Sequence, residues 1–307
     1  VVSTMGNAKD SLLQALKAVV GQSYRDWELL VADDGSTDDT GPACLRELGP
    51  DPARADRVWR DSLREETGTR SIQMLRDGRQ VFYLHHIAPR GPSASRNRAI
   101  ALASGELLAF CSCGDLWFPE KLARQVELLD EHPEYAACCD DQPARKTRKK
   151  PSRKGPSLSD LRFEELLEGR GVRLGGAIVR RTCLGPESPF DENLPVCEDY
   201  DFWLRMGSRH ALARLSDPLQ QASPPPAPPE WGLERFRVYA LEKAYQGGHL
   251  GPTLRHRVAE ELVRQCTQLV DGYRDRDNQE RANFYDRKRK RFAQEVAKLD
   301  LSDPMFN

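Results

Sequence analysis

Three clusters of acids in this chain have the type and setting to do chemistry on a phosphorylated ligand. The first closes an apolar run of strand length, Glu28-Leu29-Leu30-Val31-Ala32, which ends in Asp33-Asp34-Gly35-Ser36-Thr37-Asp38. In an open α/β sheet, ligands bind just outside the carboxyl ends of the strands. Carboxylates at that edge accept hydrogen bonds from a base or a ribose, and Gly35 lets the backbone come close. The second cluster lies around Asp115 and the third is Glu198-Asp199, each expected to follow a strand. Together they predict a nucleotide-plus-metal site better than any one of them alone.

The elements that must position these acids follow from periodicity. Val1 to Thr4 reads as the end of a first strand, and Leu12, Leu13, Leu16, Val19 and Val20 recur at helical spacing. Strands over 28–32, 81–85, 107–111 and 135–139 alternate with helices over 39–48, 93–103 and 116–131, the last tolerating Pro119 in its first turn. The polar region 51–78 is longer than a usual connection, so it is expected to be an insertion or a mobile loop. The alternation argues an α/β fold with a mostly parallel sheet flanked by helices. Unrelated helices and strands in two domains is the alternative.

Farther along, seven of the ten residues from Arg145 to Lys154 are Lys or Arg and none is acidic. That run is either a solvated loop or a patch for an anionic acceptor or membrane surface. Ser223 to Pro229 is a stiff polyproline connector. From Trp231 to Leu299 the pattern is helical, with Leu241, Tyr245, Leu262, Cys266 and Leu269 as core positions. Within it, Arg287-Lys288-Arg289-Lys290-Arg291 is flanked by Phe284, Tyr285 and Phe292. This is either a solvated helix face or a helix held at an anionic membrane surface. No internal repeat is visible.

Composition narrows the class. The chain has 307 residues, of which 39% are hydrophobic and 30% charged. That is enough for a sizeable core, and the mean hydropathy of -0.65 is that of a water-soluble chain. No apolar run approaches the roughly 20 residues of a membrane span, and no signal peptide is legible. The chain opens on Val1-Val2 almost inside a strand, the beginning expected of a chain missing its true N-terminus. A net charge of -1 makes no case for nucleic acid. The eight cysteines include the close pairs Cys111/Cys113 and Cys138/Cys139, neither with CxxC zinc spacing. They are expected to be buried free thiols in a reducing cytoplasm, with a metal or redox role as the alternative.

The order of motifs over residues 1 to 220 resembles inverting glycosyltransferases of family 2, which have the GT-A fold. The segments that carry it are Gln22 to Leu29, Asp33 to Asp38, Gly91 to Ile100, Gly105 to Phe110, Asp115 to Leu122 and Glu198 to Arg205. The resemblance divides the chain into a nucleotide-sugar-binding half (1–115), an acceptor-binding half of the same domain (116–222) and a Pro-rich connector with a helical extension (223–307). It implies a sugar moved with inversion from a nucleotide donor, UDP-linked, to a hydroxyl on a glycan, lipid-linked or protein acceptor. A divalent cation, Mn2+ or Mg2+, would compensate the leaving diphosphate, and a carboxylate would take the proton of the acceptor hydroxyl.

By the same resemblance, Asp34 matches the acid that reads the uracil ring, beside Asp33. Thr4 sits in the first-strand loop that cradles the base, and Arg96 lies at the helix start facing the nucleotide. Asp115 matches the metal-coordinating acid. Asp199 matches the catalytic base, supported by Glu198 and Asp201; its bland alternative is an N-capping or surface acid. Trp203 and Phe202 are expected in the core. The family's Asp-x-Asp-Asp is degenerate here: Cys111-Ser112-Cys113-Gly114-Asp115 stands in its place. Gly114 cannot hydrogen-bond a ribose through a side chain. Met5-Gly6-Asn7 replaces the usual Thr-Tyr-Asn, and the late Tyr-Arg-x-His segment is absent, Leu219 to Ala222 lying there instead; His249 and His256 read as surface residues. The expected location is cytoplasmic or at the membrane surface through the basic C-terminal helix. Two other classes stay open: a degenerate member that binds nucleotide, glycan or protein without turnover, and a nucleotidyltransferase on a similar sheet.

Overall fold

The computed structural model describes residues 2–4, 8–49, 51–61, 69–76, 78–140, 158–169, 172–216, 218–221 and 231–302. The basic run Arg145–Lys154, the polyproline connector and Met5-Gly6-Asn7 lie outside the described residues. Two compact units form: one from Val1–Asp160, Gly171–Pro195 and Ala211–Pro224, the other from Leu161–Arg170, Val196–His210 and Pro225–Asn307.

Among the described residues, the first unit holds every strand. In chain order its elements are β1 (Val2–Thr4), α1 (Lys9–Val20), β2 (Leu29–Asp33), α2 (Thr40–Leu48), α3 (Ala55–Asp61), β3 (Thr69–Arg76), β4 (Arg79–His86), α4 (Pro92–Leu102), β5 (Leu107–Ala109), β6 (Cys111–Ser112), β7 (Leu116–Trp117), α5 (Lys121–Glu131), β8 (Tyr135–Asp140) and β9 (Leu158–Asp160). After α6 (Phe163–Leu167) of the other unit come β10 (Ala177–Arg180), and, after α7 (Glu198–Gly207), β11 (Ala211–Leu215) and β12 (Gln220–Gln221). One sheet runs β3-β4-β2-β1-β6, with β4, β2, β1 and β6 parallel and β3 antiparallel at the edge. A second, mixed sheet runs β5-β10-β8-β11-β9, and β12 pairs with β7.

The mostly parallel part is thus the first sheet, as the βαβ alternation dictates. Every residue of β2 is buried, as expected of a parallel strand covered on both faces. Leu12, Leu16 and Val19 of α1, spaced for one helix face, join Val31, Leu45, Leu48 and Tyr83 in its core. Leu128, Leu129, Ile178 and Leu215 form the core of the second sheet.

Three expectations about this unit are corrected. The region 51–78 is more than a loop: it contributes α3 and the edge strand β3, and Trp59 of α3 packs edge-on against Tyr83 and His85 at 5.7 and 5.1 Å. Its polarity reflects an edge position, where alternate residues face water. The strand expected over 107–111 is shared between the two sheets, broken at Phe110, whose N–H bonds to Ala177 O at 3.2 Å. The helix expected from 116 begins at Lys121, because Leu116 and Trp117 pair with Gln221 and Gln220. Cys111, Cys138 and Cys139 are buried, and burial pushes each thiol above its ordinary value.

The second unit is helical: α6, α7, then α8 (Glu234–Gln246), α9 (Pro252–Arg274) and α10 (Gln279–Ser302). Leu241, Tyr245, Leu262, Cys266 and Leu269 are buried as the periodicity requires. Its compact boundary takes in α6 and α7, which lie in sequence before the Pro-rich stretch. The basic run on α10 has only part of the amphipathic character expected of a membrane-surface helix. Tyr285 and Phe292 are buried in the helical core, leaving Phe284 exposed. Lys288 pairs with Glu242 at 2.6 Å, and Arg289 and Lys290 pair with Asp286. Among the described residues, no helix is long and apolar enough to cross a membrane.

Candidate active site

Asp33 ends β2 and is fully buried. It accepts a hydrogen bond from the Ser36 N–H at 3.0 Å and another from the Tyr83 hydroxyl. Burial, then the Asp33 charge, holds the Tyr83 phenol well above its usual range. Both oxygens of Asp33 therefore serve the turn and the neighbouring strand. Thr4 pairs with Asp33 across β1 and β2; its side chain lies outside the described residues.

Asp34 stands one residue beyond the strand, at the carboxyl edge. It is only 4% exposed, and its two oxygens accept from the Arg90 N–H at 2.7 Å and the Gly91 N–H at 2.9 Å. Those amides lead directly into α4, so the carboxylate also meets the positive end of that helix. Asp34 is therefore part of the framework as well as of the edge: it fastens α4 to β2. A carboxylate oxygen has more than one acceptor site, so each can take a further hydrogen bond. Arg96, on α4, places its guanidinium 5.3 Å from the Phe190 ring centre, while Asn97 holds the Phe190 backbone at both its carbonyl and N–H.

His85 and His86, missed in the sequence, close the same edge. The register pairs Asp33 with His85, so Asp34 and His86 emerge side by side. His86 is buried, and burial holds its imidazole below the usual 6.5, against the pull of Asp34 and with the push of Arg90, His85 and Arg98. A depressed histidine means that the folded chain binds fewer protons than the unfolded chain just below that value. Stability is therefore complete above 6.5 and declines as pH falls toward the folded value. The melting temperature should fall through this window, and His86→Gln should flatten the slope; an equally steep slope in the variant would refute the assignment.

Asp115 closes the β6–β7 turn, its N–H bonding to Ser112 O at 3.0 Å; within the turn Gly114 has φ +82°, a conformation that favours glycine. An aspartate at 114, as in the family pattern, would be strained in this turn. The Asp115 carboxylate is 1% exposed and accepts from the Ser112 N–H at 3.0 Å. It is packed against Gly175 so closely that a Cβ there would lie 2.0 Å from Oδ2. Around it runs a buried network that sequence reasoning missed. Trp117 Nε1 donates to Gly175 O at 3.2 Å, and Lys121 Nζ and Gln125 Nε2 both donate to Gly176 O, at 2.8 and 2.9 Å.

Glu198 and Asp199 open α7 rather than end a strand, and they belong to the second unit. The residue before them, Cys197, has φ +63°, the left-handed turn that starts the helix. Asp199 is half-buried and its Oδ1 accepts from the Tyr200 N–H at 2.8 Å. With Glu198 and Asp201 it gives the first turn three acids, favoured there by the helix dipole. Asp201 does not assist Asp199 directly: it is fully buried between Arg205 and Lys243, each at 2.9 Å. Phe202 and Trp203 pack in the core, edge-on at 5.0 Å.

Residues 1–52 and 66–181, more than half of the chain, match glycosyl transferase family 2. The chain belongs to this family. Its fold is of the GT-A type, and the first 349 residues of Staphylococcus aureus TarS, solved in complex with UDP, superpose with a TM-score of 0.59. That match has 19% identity and covers 87% of this chain and 71% of that one. A glycosyltransferase of Rickettsia bellii is 23% identical over 227 residues, 72% of this chain but 28% of the relative. The Escherichia coli glucosyltransferase WfgD, described as acting with UDP-Glc on a GlcNAc-diphosphoundecaprenol, is 25% identical and covers 64% of this chain and 65% of WfgD. This family 2 chain therefore spans less than a third of the Rickettsia relative's length.

Proposed function

We propose that this family 2 chain transfers a sugar from a UDP-linked donor to an acceptor hydroxyl with inversion. The observation that carries the reading is Asp34: a carboxylate fixed by two backbone N–H groups at the carboxyl edge of the parallel strands, where such sheets bind nucleotides. Asp199 is the general base. It takes the proton of the acceptor hydroxyl as that oxygen bonds to the anomeric carbon. The bond from that carbon to the diphosphate breaks in the same displacement, which inverts the centre.

The residues present fit a divalent cation only in part. Among the described residues, no cluster of three or more His, Cys, Asp or Glu could hold a metal alone. Asp115 supplies one buried carboxylate, and Gly175 leaves it room because it has no Cβ. A cation would be held by Asp115 and the donor's diphosphate, with water completing its oxygen ligands; when bound, it would compensate the charge of the leaving diphosphate.

Thermal shift with nucleoside diphosphates, with and without Mn2+, tests the reading. A ligand bound only by the folded chain raises its melting temperature by mass action. UDP should stabilise the chain and Mn2+ should add to the effect. Asp115→Asn should lose the Mn2+ increment. Asp34→Ala, measured against its own unliganded melt, should lose affinity by about tenfold or more, the scale of a buried charge-assisted hydrogen bond. A UDP response without transfer on any acceptor would favour the non-catalytic member of the family, a reading the glycine at position 114 also suits.

A further inference from the structure

We propose that Lys121 is a positioning residue that holds the Gly175-Gly176 turn against Asp115 and so sets how the carboxylate meets the donor's cation and diphosphate. The inference rests on the reading of Asp115 as the cation ligand. Lys121 is fully buried, a costly place for an ammonium unless its hydrogen bonds and charge are met. Its Nζ donates to Gly176 O and to Gln125 Oε1, both at 2.8 Å, and lies 3.8 Å from Asp140 Oδ1. Gln125 returns a bond to the same Gly176 carbonyl at 2.9 Å. Asp140 accepts in turn from the Leu219 N–H at 3.1 Å. One ammonium therefore joins α5, the 174–176 turn and the end of β8.

What the turn does next is plain from its other face. Trp117 Nε1 holds the Gly175 carbonyl, and the Gly175 α-carbon presses on Asp115, with no space for a methyl group between them. The Ser112 N–H donates to the same Oδ2 at 3.0 Å. Asp115 is thus held by the Ser112 N–H and packed against a turn whose carbonyls are gripped by Lys121, Gln125 and Trp117. Residues behind a metal-binding carboxylate commonly orient it, and their loss costs about 10–100-fold in metal affinity.

The sign of the effect separates this role from a through-space one. A nearby positive charge repels a cation, so removing an ammonium that acted only by charge would strengthen Mn2+ binding. Removing a latch should weaken it. The test is calorimetry of UDP binding to the full chain with and without Mn2+, taking the ratio of the two affinities as the manganese gain. Lys121→Met leaves Asp140 buried without its cation, so the paired variant Lys121→Met with Asp140→Asn is made alongside, and Trp117→Phe loosens the turn from its other carbonyl. In every variant that melts cooperatively, the gain should fall, by about tenfold for the lysine variants and less for Trp117→Phe, while UDP affinity without Mn2+ stays within about twofold. Gly175→Ala, with Lys121 intact, should lose the same gain, and adding Lys121→Met to it should lose little more. An unchanged or increased gain in the folded variants overturns the role of Lys121 alone. No manganese gain in the parent chain overturns the reading of Asp115, and the inference with it.

Discussion

Asp199→Asn should bind UDP as the parent chain does and lose transfer by roughly 10²–10⁴-fold, the cost of removing a general base. Asparagine keeps the shape of the side chain and an oxygen that can accept from the Tyr200 N–H, so the first turn of α7 loses little. What goes is basicity. Asp34 and Asp115, the residues proposed to meet the donor, belong to the other compact unit, so donor affinity should be untouched. Product formation under saturating donor and acceptor, followed over a pH series, measures the loss. Glu198→Gln is the control: it removes a neighbouring acid from the same turn and should cost far less than Asp199→Asn. Equal losses in the two variants would make the cluster's charge, rather than one base, the essential feature. Full activity in Asp199→Asn would remove the base assignment.

Much of this was legible because it rests on periodicity. The buried run Leu29 to Ala32 and the Leu12–Leu16–Val19 stripe follow directly from strand and helix geometry, and Asp34 falls at the sheet edge because the apolar run stops there. What was not legible depends on partners distant in sequence. Nothing local says that Asp34 will accept from Arg90 and Gly91, more than fifty residues away, and so become part of the framework. Lys121 looks like an ordinary first-turn lysine until the Gly175-Gly176 turn is brought to it. The polar stretch 51–78 concealed an edge strand because edge strands bury little and carry weak alternation. Two of the three aromatics beside the α10 basic run proved to be core residues because α8 and α9 cover that face. Glu198-Asp199 was placed after a strand, whereas the left-handed Cys197 turns the chain straight into a helix.

The largest stability effect should come from Asp201, not from any residue expected to touch a ligand. Asp201→Ala removes the acid between Arg205 and Lys243. Deleting one member of a buried ion pair commonly costs about 3–5 kcal/mol, because the remaining charge is left uncompensated. Here the cations are partly open to water, with side chains 23% and 30% exposed against 0% for the acid. They can regain hydration, so the expected cost lies near the lower end of that range. Asp201→Asn keeps an acceptor oxygen for one of the two cations and turns an NH2 toward the other, so it should cost less than the alanine without restoring the pair. Replacing Asp201, Arg205 and Lys243 together by apolar residues of similar size should recover much of the loss, since the desolvation of all three charges is then avoided. Thermal melts of the full chain rank the variants. The ion pair to Lys243 ties α7 to α8, and α7 carries Asp199, so the alanine variant should also lose transfer at temperatures well below its melt. Asp201→Ala melting with the parent chain would show that the two cations find other partners and that packing of Phe202 and Trp203 alone holds α7.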